Sequence, residues 1–132
     1  MYKYFFLCAK LIRKGDIILT VNVLNRDNIL LVRLKGELTK DTVYKLDKKV
    51  TKKVEGNECY NLVINVSNLK FIDYKGINKL LYNYEIVKKN KGMVLLCGNN
   101  LNIGKRLKKS RLLNYIYEFN DELCCCKYLN KG

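Results

Sequence analysis

Apolar and polar residues alternate in the first part of the chain, a pattern typical of β-strands. Ile17–Val23 and Ile29–Leu34 are two such runs, and the polar segment Asn25–Asn28 between them predicts the turn of a hairpin. Asn61–Val66 and Met93–Cys97 are continuous apolar runs, which are typical of buried strands covered by other elements.

Between these strands, apolar residues recur at the spacing of helices. Gly36 predicts a break in the chain, and Thr39 or Asp41 then caps a helix that continues to about Val54. A second helix begins at about Asp73. The residues that face the core from this second helix are Ile77, Leu80, Leu81, Tyr84 and Val87.

The last third of the chain continues the alternation. The second helix ends at about Lys89, Leu101–Lys109 predicts a short helix, and Tyr115–Phe119 predicts a short edge strand. Asp121 caps a final helix that extends to Leu129. Alternating strands and helices in 132 residues predict a single α/β domain with a mixed β-sheet covered by helices.

Residues 1–16 form an N-terminal extension to a domain that covers residues 17–132. Tyr4–Ala9 is apolar, but Lys10 and Arg13 interrupt it well short of the ~20 residues of a membrane span. The segment lacks the small-residue cleavage site of a signal peptide. Two hypotheses stay open: a weak interfacial anchor, and a natural start of translation at Leu19.

The chain is strongly basic, with 26 Lys and Arg against 12 Asp and Glu and a net charge of +14. Lysine excess without Pro, Trp or His is typical of an A/T-rich genome, so a solvated lysine surface is the favoured interpretation. No acid lies between Glu85 and Glu118. The cations there predict a basic patch for acidic protein, RNA or anionic lipid. They are Lys88, Lys89, Lys91, Lys105, Arg106, Lys108, Lys109 and Arg111.

The residues needed for catalysis and metal binding are scarce. The chain has no histidine, the commonest general acid or base. Cys8, Cys59 and Cys97 are isolated, and Cys124–Cys126 are consecutive, so on a helix they point about 100° apart. They are interpreted as apolar residues in a reducing cytoplasm. The sequence predicts no metal, no cofactor and no enzymatic activity.

The junction Phe71–Leu81, FIDYKGINKLL, joins a strand to a helix and contains an unfavourable residue. Asp73 suits the N-cap, because its carboxylate accepts hydrogen bonds from exposed amides of the first turn. Lys75 lies in that same turn, where the helix dipole favours negative charge. A locally unfavourable residue at such a junction indicates a function.

Three stretches resemble a known family: LLVRLKGEL (Leu30–Leu38), NLVINVSNLKFIDYKGINKLL (Asn61–Leu81) and KGMVLLCG…KRLKKSRLLNYI (Lys91–Ile116). They are similar to the STAS domain, and more closely to the bacterial anti-sigma factor antagonists. The resemblance covers Ile17–Leu129. It implies a STAS-like domain and a non-enzymatic, cytoplasmic regulator of transcription.

The resemblance also implies a mechanism. In this family an anti-sigma factor that is also a serine kinase phosphorylates the serine or threonine before the glycine of the D-x-x-G turn. The unmodified antagonist binds the anti-sigma factor and frees the sigma factor, and the phosphorylated form lets go. Lys75 occupies that position here and has no hydroxyl, while the phenol of Tyr74 is a different substrate. Docking is therefore expected to persist without this phospho-switch.

The predicted partner-binding residues flank this junction and the turn after the hairpin. Gly76 is expected to let the backbone of a partner approach closely. Thr39 departs from the aspartate frequent in the family. The full set is Gly36, Glu37, Thr39, Asp73, Tyr74, Lys75 and Gly76.

Three alternatives stay open. Asp73 and Gly76 could merely cap and turn a helix, with Lys75 solvated. The chain could instead be a basic adaptor that binds nucleic acid or an anionic surface through residues 88–111, although nucleic acid is not the favoured partner. It could also be an accessory scaffold in a larger signalling complex. One sequence identifies neither the partner, nor the process, nor the oligomeric state.

Overall fold

The computed structural model describes residues 18–56 and 61–130. The predicted N-terminal extension, Cys8 and Cys59 lie outside these residues. Within them, a five-stranded sheet of order β1-β2-β3-β4-β5 packs with four helices. The predicted α/β fold with a mixed sheet is confirmed. No helix in the described ranges is long and apolar enough to cross a membrane.

Strands β1 (Leu19–Arg26) and β2 (Ile29–Leu38) form the predicted hairpin. They pair antiparallel along the whole of β1. The turn consists of Asp27 and Asn28, whose φ angles are 52° and 67°. Short polar side chains tolerate this left-handed conformation, and two such residues in succession match the right-handed twist of a hairpin.

The predicted break at Gly36 is wrong, because β2 continues through this residue to Leu38. Gly36 has a φ of 108°, and the pairing of β2 with β3 shifts register next to it, which identifies a β-bulge. A Cβ atom there would lie 2.0 Å from the carbonyl oxygen of Ile18. Gly36 therefore allows β2 to bend at the point where it lies beside the start of β1.

Strands β3 (Asn61–Ile72), β4 (Met93–Cys97) and β5 (Tyr117–Phe119) extend the sheet, and β2 to β5 are mutually parallel. The limits of β4 are those predicted. β3 is longer than predicted, because its second half pairs with the end of β2 as far as Leu38↔Ile72. β3 therefore leads directly into the helix that follows.

Helix α1 consists of three consecutive segments, Val43–Leu46, Asp47–Thr51 and Lys52–Glu55. The middle segment is a π-helix, and the N-cap is Thr42 and not Thr39 or Asp41. Asn83 of the next helix is buried against the π segment, and its Nδ2 donates to Thr51 Oγ1 at 3.1 Å.

Helix α2 (Tyr74–Lys89) has Asp73 as its N-cap, as predicted. Helix α3 (Gly104–Ser110) starts later than predicted, after a turn, and β5 also begins later, after a short 3-10 helix. Helix α4 (Glu122–Asn130) begins after Asp121, whose Oδ1 accepts from the amide of Cys124 at 2.9 Å.

Both faces of the sheet are covered, but unequally. Helices α1, α2 and α3 cover the main core, to which α2 contributes Ile77, Leu80 and Val87 as predicted, while Leu81 and Tyr84 are partly buried. Helix α4 covers a smaller cluster. This cluster contains Val63, Leu95, Cys97 and Cys125.

Glu122 fastens helix α4 to the sheet. Its carboxylate accepts two hydrogen bonds from Arg33 at 2.8 and 2.9 Å and one from Asn65 Nδ2 at 2.6 Å. The hydrogen bond from Arg33 is the main cause that lowers the pKa of Glu122.

Candidate functional site

Asp73 connects the two segments of the predicted partner-binding site. Its Oδ1 accepts from the amide of Gly76 at 2.9 Å, which caps helix α2. Its Oδ2 accepts from the amide of Lys40 at 2.9 Å, which fixes the turn after β2. One half-buried carboxylate therefore holds both segments in a defined arrangement.

The turn between β2 and α1, residues 39–42, is built around two buried threonines. Thr42 Oγ1 accepts from the amide of Thr39 at 2.9 Å and donates to the carbonyl of Glu37 at 2.7 Å. Thr39 is only 7% exposed, so its side chain offers little surface to a partner. The exposed side chains of this turn are those of Lys40 and Asp41.

Gly76 faces the interior of the protein. A Cβ atom there would lie 2.6 Å from the carbonyl oxygen of Leu38 and 3.0 Å from Ile72 Cγ1. The glycine lets helix α2 approach the end of β2. This corrects the prediction that the glycine makes room for the backbone of a partner.

Tyr74 and Lys75 form the exposed part of the junction. The Tyr74 side chain is 66% exposed, and Lys75 Nζ lies 5.6 Å from the centre of its ring. The first turn of α2 contains no acid. Lys75 is unfavourable for the helix dipole at this end of α2. The Asp73 carboxylate nevertheless accepts a hydrogen bond from the amide of Gly76 and so caps the helix.

A groove between α1 and α2 continues this exposed surface and has a volume of about 360 Å³. Lys79 Nζ lies 2.9 Å from Asp47 Oδ1 across it. The groove is also lined by Asn78, an exposed residue that the sequence analysis did not identify. Its only signal was its position one helical turn after Tyr74 and Lys75. The full lining consists of Val43, Asp47, Lys75, Asn78, Lys79 and Tyr82.

Gly36 and Glu37 lie in strand β2 and not in a loop. The amide of Glu37 donates to the carbonyl of Ile18 at 3.0 Å. Both residues are half-buried, and they position the turn that follows. Their direct contact with a partner stays a prediction.

Two of the cations predicted as a basic patch lie over different aromatic rings. Lys88 Nζ lies 5.6 Å from the ring of Tyr84, which packs on Tyr115 at 5.9 Å between ring centres. Arg106 instead lies over Phe71 at the end of β3, at 4.6 Å. A single binding surface made of all these residues stays a prediction.

The described cysteines are free and contribute to packing. Cys97 and Cys125 are fully buried, and the hydrogen bond between their thiols lowers the pKa of Cys97 and raises that of Cys125. Residues 18–56 and 61–130 contain no group of His, Cys, Asp and Glu side chains that could hold a metal ion.

Comparison with known proteins gives one consistent family. The STAS domain model matches residues 20–123. An anti-sigma F factor antagonist of Paenibacillus polymyxa is 24% identical over 105 residues, which cover 80% of this chain and 90% of that protein.

Solved structures of such proteins have a similar fold. An anti-sigma factor antagonist from Mycobacterium paratuberculosis has a TM-score of 0.75 at 19% identity, covering 85% of this chain and 94% of its own. The Bacillus cell fate determinant SpoIIAA in its phosphorylated form has a TM-score of 0.65 at 18% identity, covering 83% and 98%. At these identities the likeness shows the fold alone.

Proposed function

Because the chain belongs to the STAS domain family, we propose that it is a regulator of the anti-sigma factor antagonist type. It acts by binding another protein and not by catalysis. The proposed partner is an anti-sigma factor with serine kinase activity, and binding releases the sigma factor that this partner holds. The proposed binding surface comprises the exposed side chains Lys40, Asp41, Tyr74 and Lys75.

The double hydrogen bonding of Asp73 is the observation that best supports this proposal. Its carboxylate fixes Lys40 and Gly76 in one arrangement, so the exposed side chains beside them are already ordered before a partner arrives. Ordering a surface in advance lowers the entropic cost of binding. Tyr74 adds a large exposed aromatic side chain, a type enriched where interfaces concentrate their binding energy.

Lys75 determines how this surface is regulated in the proposal. Lysine has no hydroxyl, so the kinase cannot place phosphate at this position. Binding is then constitutive or controlled by the abundance of the partner. The added positive charge also favours a partner with an acidic surface opposite.

The test measures binding to the anti-sigma kinases encoded in the same genome, by biolayer interferometry. Lys75→Glu should weaken binding at least tenfold, because a favourable charge contact becomes repulsive. Lys127→Glu is the matched control, since Lys127 is also an exposed lysine on a helix, in this case α4. Equal affinities of both variants and the wild type for a kinase that binds would place the interface elsewhere.

A second arm tests the regulation. Lys75→Ser restores a hydroxyl, and its phosphorylation changes the local charge by about −2.5 to −3 relative to lysine. After incubation with ATP and the bound kinase, mass spectrometry should find phosphate on Ser at this position only in the variant, and binding should decrease. Phosphate on Tyr74 of the wild type, or a bound variant that is never modified, contradicts this part of the proposal.

A further inference from the structure

Strand β1 is an edge of the sheet, and some of its backbone groups point away from β2. The carbonyl of Ile18 accepts from the amide of Glu37, so residue 18 faces β2. In an antiparallel pair, alternate residues direct their backbone groups to opposite sides. The groups of Leu19, Val21 and Val23 therefore point outward, where the described part of the chain has no further strand.

Two lysines of helix α1 occupy this outer side. Lys45 Nζ donates to the carbonyl oxygen of Leu19 at 3.2 Å, and Lys49 Nζ donates to that of Val21 at 3.1 Å. Lys48 lies between them in sequence and is exposed. Among the lysines of this helix, Lys45 and Lys49 are the two with hydrogen bonds to β1.

The spacing of helix and strand explains this pairing. Lys45 and Lys49 are about one helical turn apart on α1. The two carbonyl groups that they reach are two residues apart on β1, a rise of about 6.6 Å. Because α1 runs beside β1 in the same direction, lysines four apart reach successive outward carbonyls. The ammonium groups satisfy carbonyl oxygens that another strand would otherwise use.

An uncovered edge strand is a template for a strand of another chain, and lysine on the edge is a common obstacle to such pairing. The sequence LTVNVLNR of β1 alternates apolar and polar residues and would suit a continued sheet. We propose that Lys45 and Lys49 close the edge of β1, and that without them this edge pairs with β1 of a second copy. A second copy is the occupant because a two-fold axis pairs a strand with itself antiparallel.

The test replaces both lysines by methionine, which retains an aliphatic side chain and removes the donor. Lys45→Met with Lys49→Met is compared with Lys52→Met with Lys53→Met, a control that removes the same charge from the same helix outside the groove beside β1. Light scattering after size-exclusion chromatography should give the first variant twice the mass of the control and wild type. Moderate salt is needed, because the net charge of +14 opposes association.

Amide hydrogen exchange identifies the surface used. In the associated variant, the outward amides of Val21 and Val23 should exchange at least tenfold more slowly than in the control. An unchanged mass over the whole soluble concentration range overturns the proposal, and so does association that leaves these two amides unprotected. If circular dichroism shows that the double variant is unfolded, the same measurements on Lys49→Met alone decide.

Discussion

Replacing Gly76 by alanine tests whether this glycine is needed inside the protein. The new Cβ would lie 2.6 Å from the carbonyl oxygen of Leu38 and 2.8 Å from its Cγ. An added methyl group in a packed core typically costs about 1–3 kcal/mol. Moving Leu38 away also weakens the hydrogen bond that its carbonyl accepts from the amide of Asp73 at 3.1 Å, worth about 1 kcal/mol.

Helix propensity acts in the opposite direction. Alanine is favoured over glycine in an open helix by about 1 kcal/mol. The net expectation for Gly76→Ala is therefore a loss of about 1–3 kcal/mol in the free energy of unfolding. Urea unfolding followed by circular dichroism measures this loss, with an unchanged slope if the native state stays compact.

Gly104→Ala is the matched control. Gly104 is also a helical glycine, but a Cβ there would meet only Asn99 Oδ1 at 3.6 Å, an ordinary contact. This variant should be as stable as the wild type or gain up to about 1 kcal/mol. If Gly76→Ala were as stable as Gly104→Ala, the close approach of α2 to β2 could not be the reason for the glycine.

Two further predictions concern side chains that join elements. Asp73→Ala should lower the free energy of unfolding by about 2 kcal/mol, and Asp121→Ala, which removes only the N-cap carboxylate of helix α4, by about 1 kcal/mol. Equal thermal shifts for both would contradict a second role of Asp73. The lowered pKa of Glu122 means that its pair with Arg33 stabilises the fold above the ordinary glutamate range, and that this contribution is lost as pH falls through the lowered pKa. The stability difference between wild type and Glu122→Gln should therefore shrink in acid, and a constant difference from neutral pH to pH ~3 would refute this.

Local signals were sufficient for several elements of the fold. The hairpin, the limits of β4 and the N-cap at Asp73 each follow from a short pattern of apolar runs, turn residues or a capping carboxylate. The predicted break at Gly36 was wrong because a glycine can either end a strand or form a bulge within it. The choice depends on β1 and β3 beside it, which are distant in sequence.

The length of β3 was hidden for a related reason. Residues after Val66 include the polar Ser67, Asn68 and Lys70, which do not resemble a buried strand. They lie beyond the end of β4, whose last pair is Asn65↔Cys97, so this half of β3 has a neighbour on one side only. The sequence of β3 alone therefore does not indicate where its neighbour β4 ends.

The candidate site was predictable only in part. The D-x-x-G stretch located the junction, but nothing local indicates that Gly76 faces Leu38 while Tyr74 faces solvent. The hydrogen bond from the amide of Lys40 to Asp73 joins residues 33 apart in sequence and could not be predicted. The same holds for the contacts of Lys45 with β1, because they depend on how α1 lies against the sheet.

The arrangement at Asp73 explains how a lysine can occupy a position where its relatives are expected to carry a hydroxyl. The cap of helix α2 comes from Asp73, and the close packing comes from Gly76, so neither depends on the side chain between them. Lys75 is free to extend over the ring of Tyr74 at the surface. Under the proposed function, exchanging a hydroxyl for an ammonium group at this position removes the modification and keeps the docking geometry. Loss of the switch then requires a single substitution at position 75, whereas the docking geometry changes only when the residues that hold the junction together, Asp73 and Gly76, are replaced.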